Sequence, residues 1–267
     1  MLAAAALAGA LTALAPVVVH DSREQHPLSS VAAAHVDAPS RSDDLAPAAY
    51  ARAAPRDGGG AWLQYWLYYP EQDQDRGIVR TGRHEGDWEL VQVGLDASGR
   101  PREVVYAQHR GGERCDWAEV EQRDGHPTVY VARGSHASYL RAGTRDRMWP
   151  DPNDEADGGG ETMRPRLVRV SEAAPLWMRW PGRWGGASRR WWVPGEQDSP
   201  RGPAFQPDRW SDPTAWANNA RDCQADCNSI DQCDTPETLL GAGGAVAAAA
   251  VAGAGLGIRR RRRGQTP

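Results

Sequence analysis

The chain has 267 residues, 40% of them hydrophobic and 25% charged, enough for one domain with a real core plus appendages. Net charge is −4 even though five consecutive arginines at 259–263 add +5, so the body is acidic, which argues against nucleic acid as a partner. There is no lysine, and every basic side chain is arginine or histidine.

Taken in order, residues 2–19 are almost wholly apolar and rich in Ala and Leu, and segment 1–19 reads as a signal-peptide-like export helix. Residues 20–60 are rich in Ala, Pro, Ser and Asp without apolar periodicity, which predicts a disordered linker. The character changes at Ala61. Short β-prone runs at 62–69, 88–94, 103–109, 128–132 and 167–170 are separated by turn signals, and helical periodicity is scarce. This pattern predicts a mostly β domain over 61–218, a β-sandwich or jelly roll with long loops. The acidic, Gly-rich stretch 151–160 lacks the glycine of a calcium loop and reads as a solvated loop.

Four cysteines, Cys115, Cys223, Cys227 and Cys233, suggest two disulfides in an exported chain. Three pairings are open, and one that ties Cys115 to the 223–233 cluster would staple a juxtamembrane segment, 219–238, to the domain. Residues 239–258 form an uncharged run of 20, long enough to span a bilayer as a helix. The arginines after it place tail 259–267 in the cytoplasm and the domain outside, anchored in the cell membrane.

The chemistry concentrates in His84-Glu85-Gly86-Asp87-Trp88-Glu89. On a strand, residues two apart share a face, so Asp87 and Glu89 point the same way with Cα atoms roughly 7 Å apart. Two carboxylates that close repel unless a cation or a proton lies between them. Gly86 can turn the chain so that His84 reaches the same point. His84, Asp87 and Glu89 are thus candidate ligands for a divalent ion, Ca²⁺, Mg²⁺ or Mn²⁺, with side-chain atoms within about 5 Å of one another.

His109 and His136 are candidate general bases if the fold brings them to the same cavity. Ser135 beside His136 lacks a nucleophile elbow, which disfavours a serine hydrolase. Tryptophan is abundant at 12 residues, and most are expected in the core. Trp191 and Trp192 are the exposed ligand-binding candidates, because adjacent strand residues cannot both face one core.

Several segments together resemble one family. They are Tyr65-Trp66-Leu67-Tyr68-Tyr69-Pro70, the His84–Glu89 hexad, Ala107-Gln108-His109, His126-Pro127-Thr128-Val129-Tyr130-Val131-Ala132, Gly134-Ser135-His136-Ala137-Ser138-Tyr139 and Trp180-Pro181-Gly182-Arg183-Trp184-Gly185. In this order they resemble the vacuolar protein sorting-associated protein 62-like family over roughly residues 60–216, a resemblance that implies no settled activity. A weaker similarity joins His84-Glu85-Gly86-Asp87-Trp88-Glu89 to the G-H-R-H-D-W-E heptad of necrosis- and ethylene-inducing-peptide-like toxins. That similarity implies a β-sandwich whose divalent cation, held at the positions of His84, Asp87 and Glu89, serves binding of a sphingolipid head group. It offers Asp73 and Asp75 as looser candidates for a further ligand. Glu85-Gly86 departs from the toxins' Arg-His, so cytolysis is not carried over.

The reading that results is a membrane-anchored, extracytoplasmic, metal-binding β-sandwich that recognises a glycan or lipid head group. The alternatives are a metal-dependent hydrolase, disfavoured, and a structural surface protein.

Overall fold

The computed structural model describes residues 3–41, 43–74, 82–145, 147, 152–171, 173–186 and 197–223. In chain order its elements are α1 (Ala4–Ala13), β1 (Val17–His20), β2 (Ala48–Pro55), β3 (Ala61–Gln72), β4 (His84–Leu95), β5 (Pro101–Gln108), β6 (Gly111–Asp116), β7 (Gln122–Arg123), β8 (His126–Val131), β9 (Ser138–Tyr139), β10 (Gly143–Arg145), β11 (Asp154–Ala156), β12 (Thr162–Met163), β13 (Arg166–Arg169), α2 (Pro207–Trp210), α3 (Pro213–Asn219) and β14 (Arg221–Asp222). The chain is mostly β, as its short β-prone runs predict, and all five of those runs are strands.

One sheet has the order β13-β2-β3-β4-β5-β6-β14, antiparallel through its centre with a parallel strand added at each edge. A smaller sheet has the order β12-β1-β8-β7, with β9 also on β8. Strand alternation sorts the large sheet's side chains onto two buried faces. Leu63, Tyr65, Leu67 and Tyr69 of β3 and Val91, Val93 and Leu95 of β4 pack with Val18, Val129 and Val131 of the small sheet. Trp62, Trp66, Tyr68, Trp88 and Leu90 face the other way, onto Trp177, Trp184, Trp210 and Trp216. The tryptophans of the second half thus seal the face that the small sheet leaves open. Each such ring hides roughly 200 Å², an upper bound of about 5 kcal/mol of apolar burial.

Three expectations are corrected. The apolar segment expected to be an export helix over 1–19 contributes core instead. Val17, Val18 and Val19 are at most 2% exposed in β1, which lies between β8 and β12. Leu11 of α1 packs on the inter-sheet cluster, and its carbonyl accepts a 3.1 Å hydrogen bond from the Tyr65 hydroxyl. Segment 20–60, expected to be a disordered linker, holds β2, which pairs with β3 from Ala49↔Leu67 to Pro55↔Ala61. Its Ala-rich sequence has little strand propensity, and the pairing on both sides of β2 supplies the order. Stretch 151–160, expected to be a solvated loop, carries β11, with Asp154 buried.

Cys115 is bonded to Cys223, which is one of the pairings to the 223–233 cluster, and it holds β14 beside β6. Cys227 and Cys233, the run 239–258 and the arginine tail lie outside the described residues. Among the described residues no helix is long and apolar enough to cross a membrane.

Candidate functional site

β4 outruns one of its neighbours. It pairs with β3 from Gln72↔His84 to Ala61↔Leu95, but with β5 only from Val91↔Tyr106 to Leu95↔Pro101. Where β5 has no partner residue to offer, a cavity of about 990 Å³ opens. Its wall includes His84, Asp87, Trp88 and Glu89 of β4, Gln72 and Gln74, His109 and Arg110 of the β5–β6 turn, Arg209 of α2 and Trp216 of α3. Arg147, Arg183 and Arg201 complete the basic part of the lining. Gly86 sits at φ +64°, and a Cβ there would come within 2.1 Å of the Trp184 carbonyl oxygen. Only glycine lets the strand approach the tryptophan layer this closely.

Asp87 and Glu89 share the cavity, as their spacing predicts, but their electrostatic surroundings are opposite. Asp87 Oδ2 accepts a 2.9 Å hydrogen bond from His136 Nδ1, and Oδ1 accepts from the Trp88 amide. Behind it His136 is fully buried, stacked on Tyr69 with ring centroids 4.0 Å apart, and its Nε2 lies 3.8 Å from Glu24 Oε1. Burial would lower the His136 pKa, but the two carboxylates outweigh it and raise it to about 9. Burial would raise Glu24 and Asp87, and the imidazolium instead holds Glu24 down at about 2 and Asp87 below its usual range. Glu24–His136–Asp87 is therefore an ionic triad, its imidazole fully buried and Glu24 at the edge of a second cavity.

Glu89 has no such partner. Its Oε2 is buried without a hydrogen bond, and the nearest charge is Arg209 Nη1 at 3.8 Å. Burial pushes its carboxyl well above the usual range, against the pull of Arg209. His84 is also buried, and its Nδ1 contacts the Gly86 carbonyl at 2.9 Å, which leaves Nε2 for the cavity. His84, Asp87 and Glu89 face one cavity, yet their ligand atoms are not drawn within 4.8 Å of one another. Among the described residues only Glu113, Cys115 and Cys223 meet that spacing, and both sulfurs are in the disulfide.

Of the two base candidates, His109 reaches the cavity. Its backbone is left-handed, at φ +53°, and its carbonyl accepts from the Arg209 guanidinium. Its Nε2 meets Asp154 Oδ2 at 2.6 Å. Asp154 also accepts from the Ser135 and Tyr139 hydroxyls, at 2.6 Å each. Burial would raise Asp154, but His109 and its other partners hold it below its usual range. The aspartate fixes the ring and turns the remaining nitrogen outward, an arrangement that general bases and ligand acceptors share.

His136, the other base candidate, does not line the cavity. It braces Asp87 from behind and is shut off from any ligand. Asp73 lies by a separate, smaller cavity with Glu24, His26 and Arg133. Asp75, Trp191 and Trp192 lie outside the described residues. Sequence reasoning missed Glu24, Asp154 and Arg209. Glu24 sits in the supposed linker and Asp154 in the supposed solvated loop. Nothing local marks Arg209, since α2 and the cavity meet only in three dimensions.

Known proteins resemble the chain in the way its motifs indicate. The family model for vacuolar protein sorting-associated protein 62 matches residues 72–147, which include the hexad and the Gly134-Ser135-His136 turn. The vacuolar protein sorting-associated protein 62 of Saccharomyces cerevisiae is 25% identical over 197 residues, 56% of this chain. That match spans 42% of the yeast protein's length. Solved structures of the necrosis- and ethylene-inducing group are also similar. Necrosis and Ethylene inducing Protein 2, from the causal agent of cocoa's witches' broom disease, has a TM-score of 0.39 at 20% identity, over 60% of this chain and 72% of its own. NLPPya in complex with glucosamine has a TM-score of 0.45 at 16% identity, over 77% of this chain and 90% of its own.

Proposed function

We propose that this chain recognises a polar ligand, a glycan or lipid head group, in the β4 cavity through a divalent cation held by His84, Asp87 and Glu89. The observation that carries the reading is the Glu89 carboxylate, buried in the cavity wall with an unpartnered Oε2 two residues from a second, ionised carboxylate. A buried carboxylate with no hydrogen bond and its nearest counter-charge 3.8 Å away is costly to ionise, and a cation repays that cost. The free Nε2 of His84 adds a nitrogen donor, and hard ions such as Ca²⁺, Mg²⁺ or Mn²⁺ suit a set dominated by oxygen. A bound ion would supply Lewis acidity toward ligand hydroxyls. The protein supplies the pocket, the orientation of Asp87 through His136, and the hydrogen-bonding groups Gln72, Gln74 and His109 around it. Drawing the three ligands together requires side-chain rotation in the cavity, which an open strand edge permits.

A metal-dependent hydrolase is the second reading. One observation favours it, the His109–Asp154 pair at the cavity wall. In both readings the run 239–258 anchors the domain outside the cell membrane, with 259–267 inside. Truncation after residue 234 should then move the protein from the membrane fraction to the soluble one, and retention in membranes refutes the anchor.

Calorimetry with Ca²⁺, Mg²⁺ and Mn²⁺ tests the site. The parent chain should bind one ion, and Asp87→Asn or Glu89→Gln should each weaken it at least tenfold. No binding by the parent, or unchanged binding in both variants, removes the metal from the proposal.

A further inference from the structure

The Cys115–Cys223 bond sits beside a third donor. Glu113 and Cys115 lie two residues apart on β6 and share its buried face, at 8% and 1% exposed. β14 runs parallel to β6 in the register Arg221↔Glu113 and Asp222↔Arg114. The next residue, Cys223, therefore comes level with Cys115, and its amide donates a 2.8 Å hydrogen bond to the Arg114 carbonyl. A Glu113 oxygen and the two sulfurs all lie within 4.8 Å of one another, the one set of three such donors this close among the described residues. The carboxylate is itself held. Gln108 Nε2 donates to Glu113 Oε2 at 3.2 Å, and Gln108 is fixed in turn by the Ser138 carbonyl and the Arg221 guanidinium. Outer hydrogen bonds of this kind orient metal ligands.

A disulfide hides two metal donors, because the thiolate is the ligand. Cys115 is sealed, but Cys223 is only part-buried and follows an exposed edge strand of two residues, so a small dithiol can reach its sulfur. One thiolate of the dithiol attacks Cys223 Sγ and Cys115 leaves. The second thiol then displaces Cys223 and closes the reagent's own disulfide. Two electrons and two protons pass to the protein, which gains two thiols.

We infer that Glu113, Cys115 and Cys223 form a redox-gated zinc site: a disulfide when oxidised and, once a dithiol has reduced it, two thiolates and a carboxylate that hold Zn²⁺ with solvent in the fourth position. Binding expels the two thiol protons. Ligands at about 2.0–2.3 Å from a tetrahedral zinc stand roughly 3.3–3.8 Å apart, which atoms already within 4.8 Å reach by small rotations. Two sulfurs and one oxygen suit the borderline-soft zinc ion, unlike the oxygen-rich set in the β4 cavity. The site also bears on that cavity. α3 ends at Asn219 and β14 begins at Arg221, and α2 and α3 carry Arg209 and Trp216 of the cavity wall. Disulfide and zinc would secure this wall in alternative redox states.

Cobalt reads the site, because thiolate ligands give Co²⁺ an intense near-ultraviolet charge-transfer band that nitrogen and oxygen ligands do not. The full chain with Cys227→Ser and Cys233→Ser, which leaves Cys115 and Cys223 as its two cysteines, is reduced with dithiothreitol and desalted without oxygen. One equivalent of Co²⁺ should then develop the band, Zn²⁺ should displace it, and the oxidised chain should show none. Near-ultraviolet circular dichroism of the zinc-loaded reduced chain should match that of the oxidised chain, which places the site in the folded protein. Glu113→Gln should weaken Zn²⁺, read as displacement of the band, at least tenfold. Asp116→Asn, exposed on the strand's other face, should leave it unchanged. No band in the reduced chain, a reduced chain that is unfolded even with Zn²⁺, or equal Zn²⁺ affinity in parent and Glu113→Gln overturns the inference. The cavity ligands carry no sulfur, so the band is blind to an ion at His84, Asp87 and Glu89, and either proposal can fail alone.

Discussion

Asp87 and Glu89 lie two residues apart on one strand and face one cavity, yet one is hydrogen-bonded to a buried imidazolium and the other has an oxygen with no hydrogen bond. Asp87 meets a fully buried imidazolium, with Glu24 Oε1 3.8 Å from the ring's far nitrogen. Glu89 has only Arg209, at 3.8 Å. The comparison teaches that identical chemistry at identical spacing is turned to opposite ends by what the fold places behind each residue. The triad side is satisfied within the fold, and the cavity side keeps an acceptor without a hydrogen bond.

Breaking the triad side should have the largest effect. His136→Ala leaves buried Asp87 and part-buried Glu24 without their shared counter-charge and should cost about 3–5 kcal/mol. Urea denaturation measures it, and a loss under about 1 kcal/mol would mean the triad contributes no more than an exposed ion pair.

The pH dependence sharpens the same point. His136 is raised to about 9 in the folded chain, so its stabilisation is complete below its unfolded value near 6.5 and is lost as pH rises through 9. Glu24 is lowered to about 2, so its share is complete above about 4.5 and is lost as pH falls through 2. The two shifts describe one interaction and are counted once. Melting temperature should therefore be highest between about pH 4.5 and 6.5 as far as the triad decides it. The decline toward pH 9 should flatten in His136→Ala. A profile unchanged in that variant would assign the decline to other groups.

The smallest effect, of opposite sign, belongs to the open side. Glu89→Gln removes a carboxyl that burial pushes well above its ordinary range and should stabilise the ion-free chain by about 1 kcal/mol at pH 7. The gain should shrink at pH 4, where the unfolded carboxyl is itself largely protonated. A clear loss of stability would show that Glu89 has a structural partner after all and would weaken the case for a ligand.

Much of this was legible in the chain. Runs such as 62–69 and 88–94 are dense in large apolar and aromatic residues, and the structure makes both into central strands. The i, i+2 relation of Asp87 and Glu89 needs only a strand to put them on one face, and Gly86 was readable as a turn in the path. Val17-Val18-Val19 was misread because an apolar run after an Ala/Leu helix has the same composition whether it enters a membrane system or a core. Ala48–Pro55 was misread because alanine carries little strand propensity of its own, and order there comes from hydrogen bonds offered by β3 and β13.

By itself the sequence determined the mostly β class, the five main strands, the carboxylate pair and the reach of Cys115 toward the 223–233 cluster. These rest on periodicity, spacing and counting, which are properties of neighbours along the chain. Tertiary structure alone decided that His136 stands behind Asp87 and out of the cavity, that Asp154 aims His109, and that Arg209 approaches Glu89. Those pairs are 49, 45 and 120 residues apart, and no local pattern fixes a contact at such a distance. Two sheets and a tryptophan layer must first pack, and only then is it settled which carboxylate is hydrogen-bonded to an imidazolium and which keeps an oxygen without a hydrogen bond.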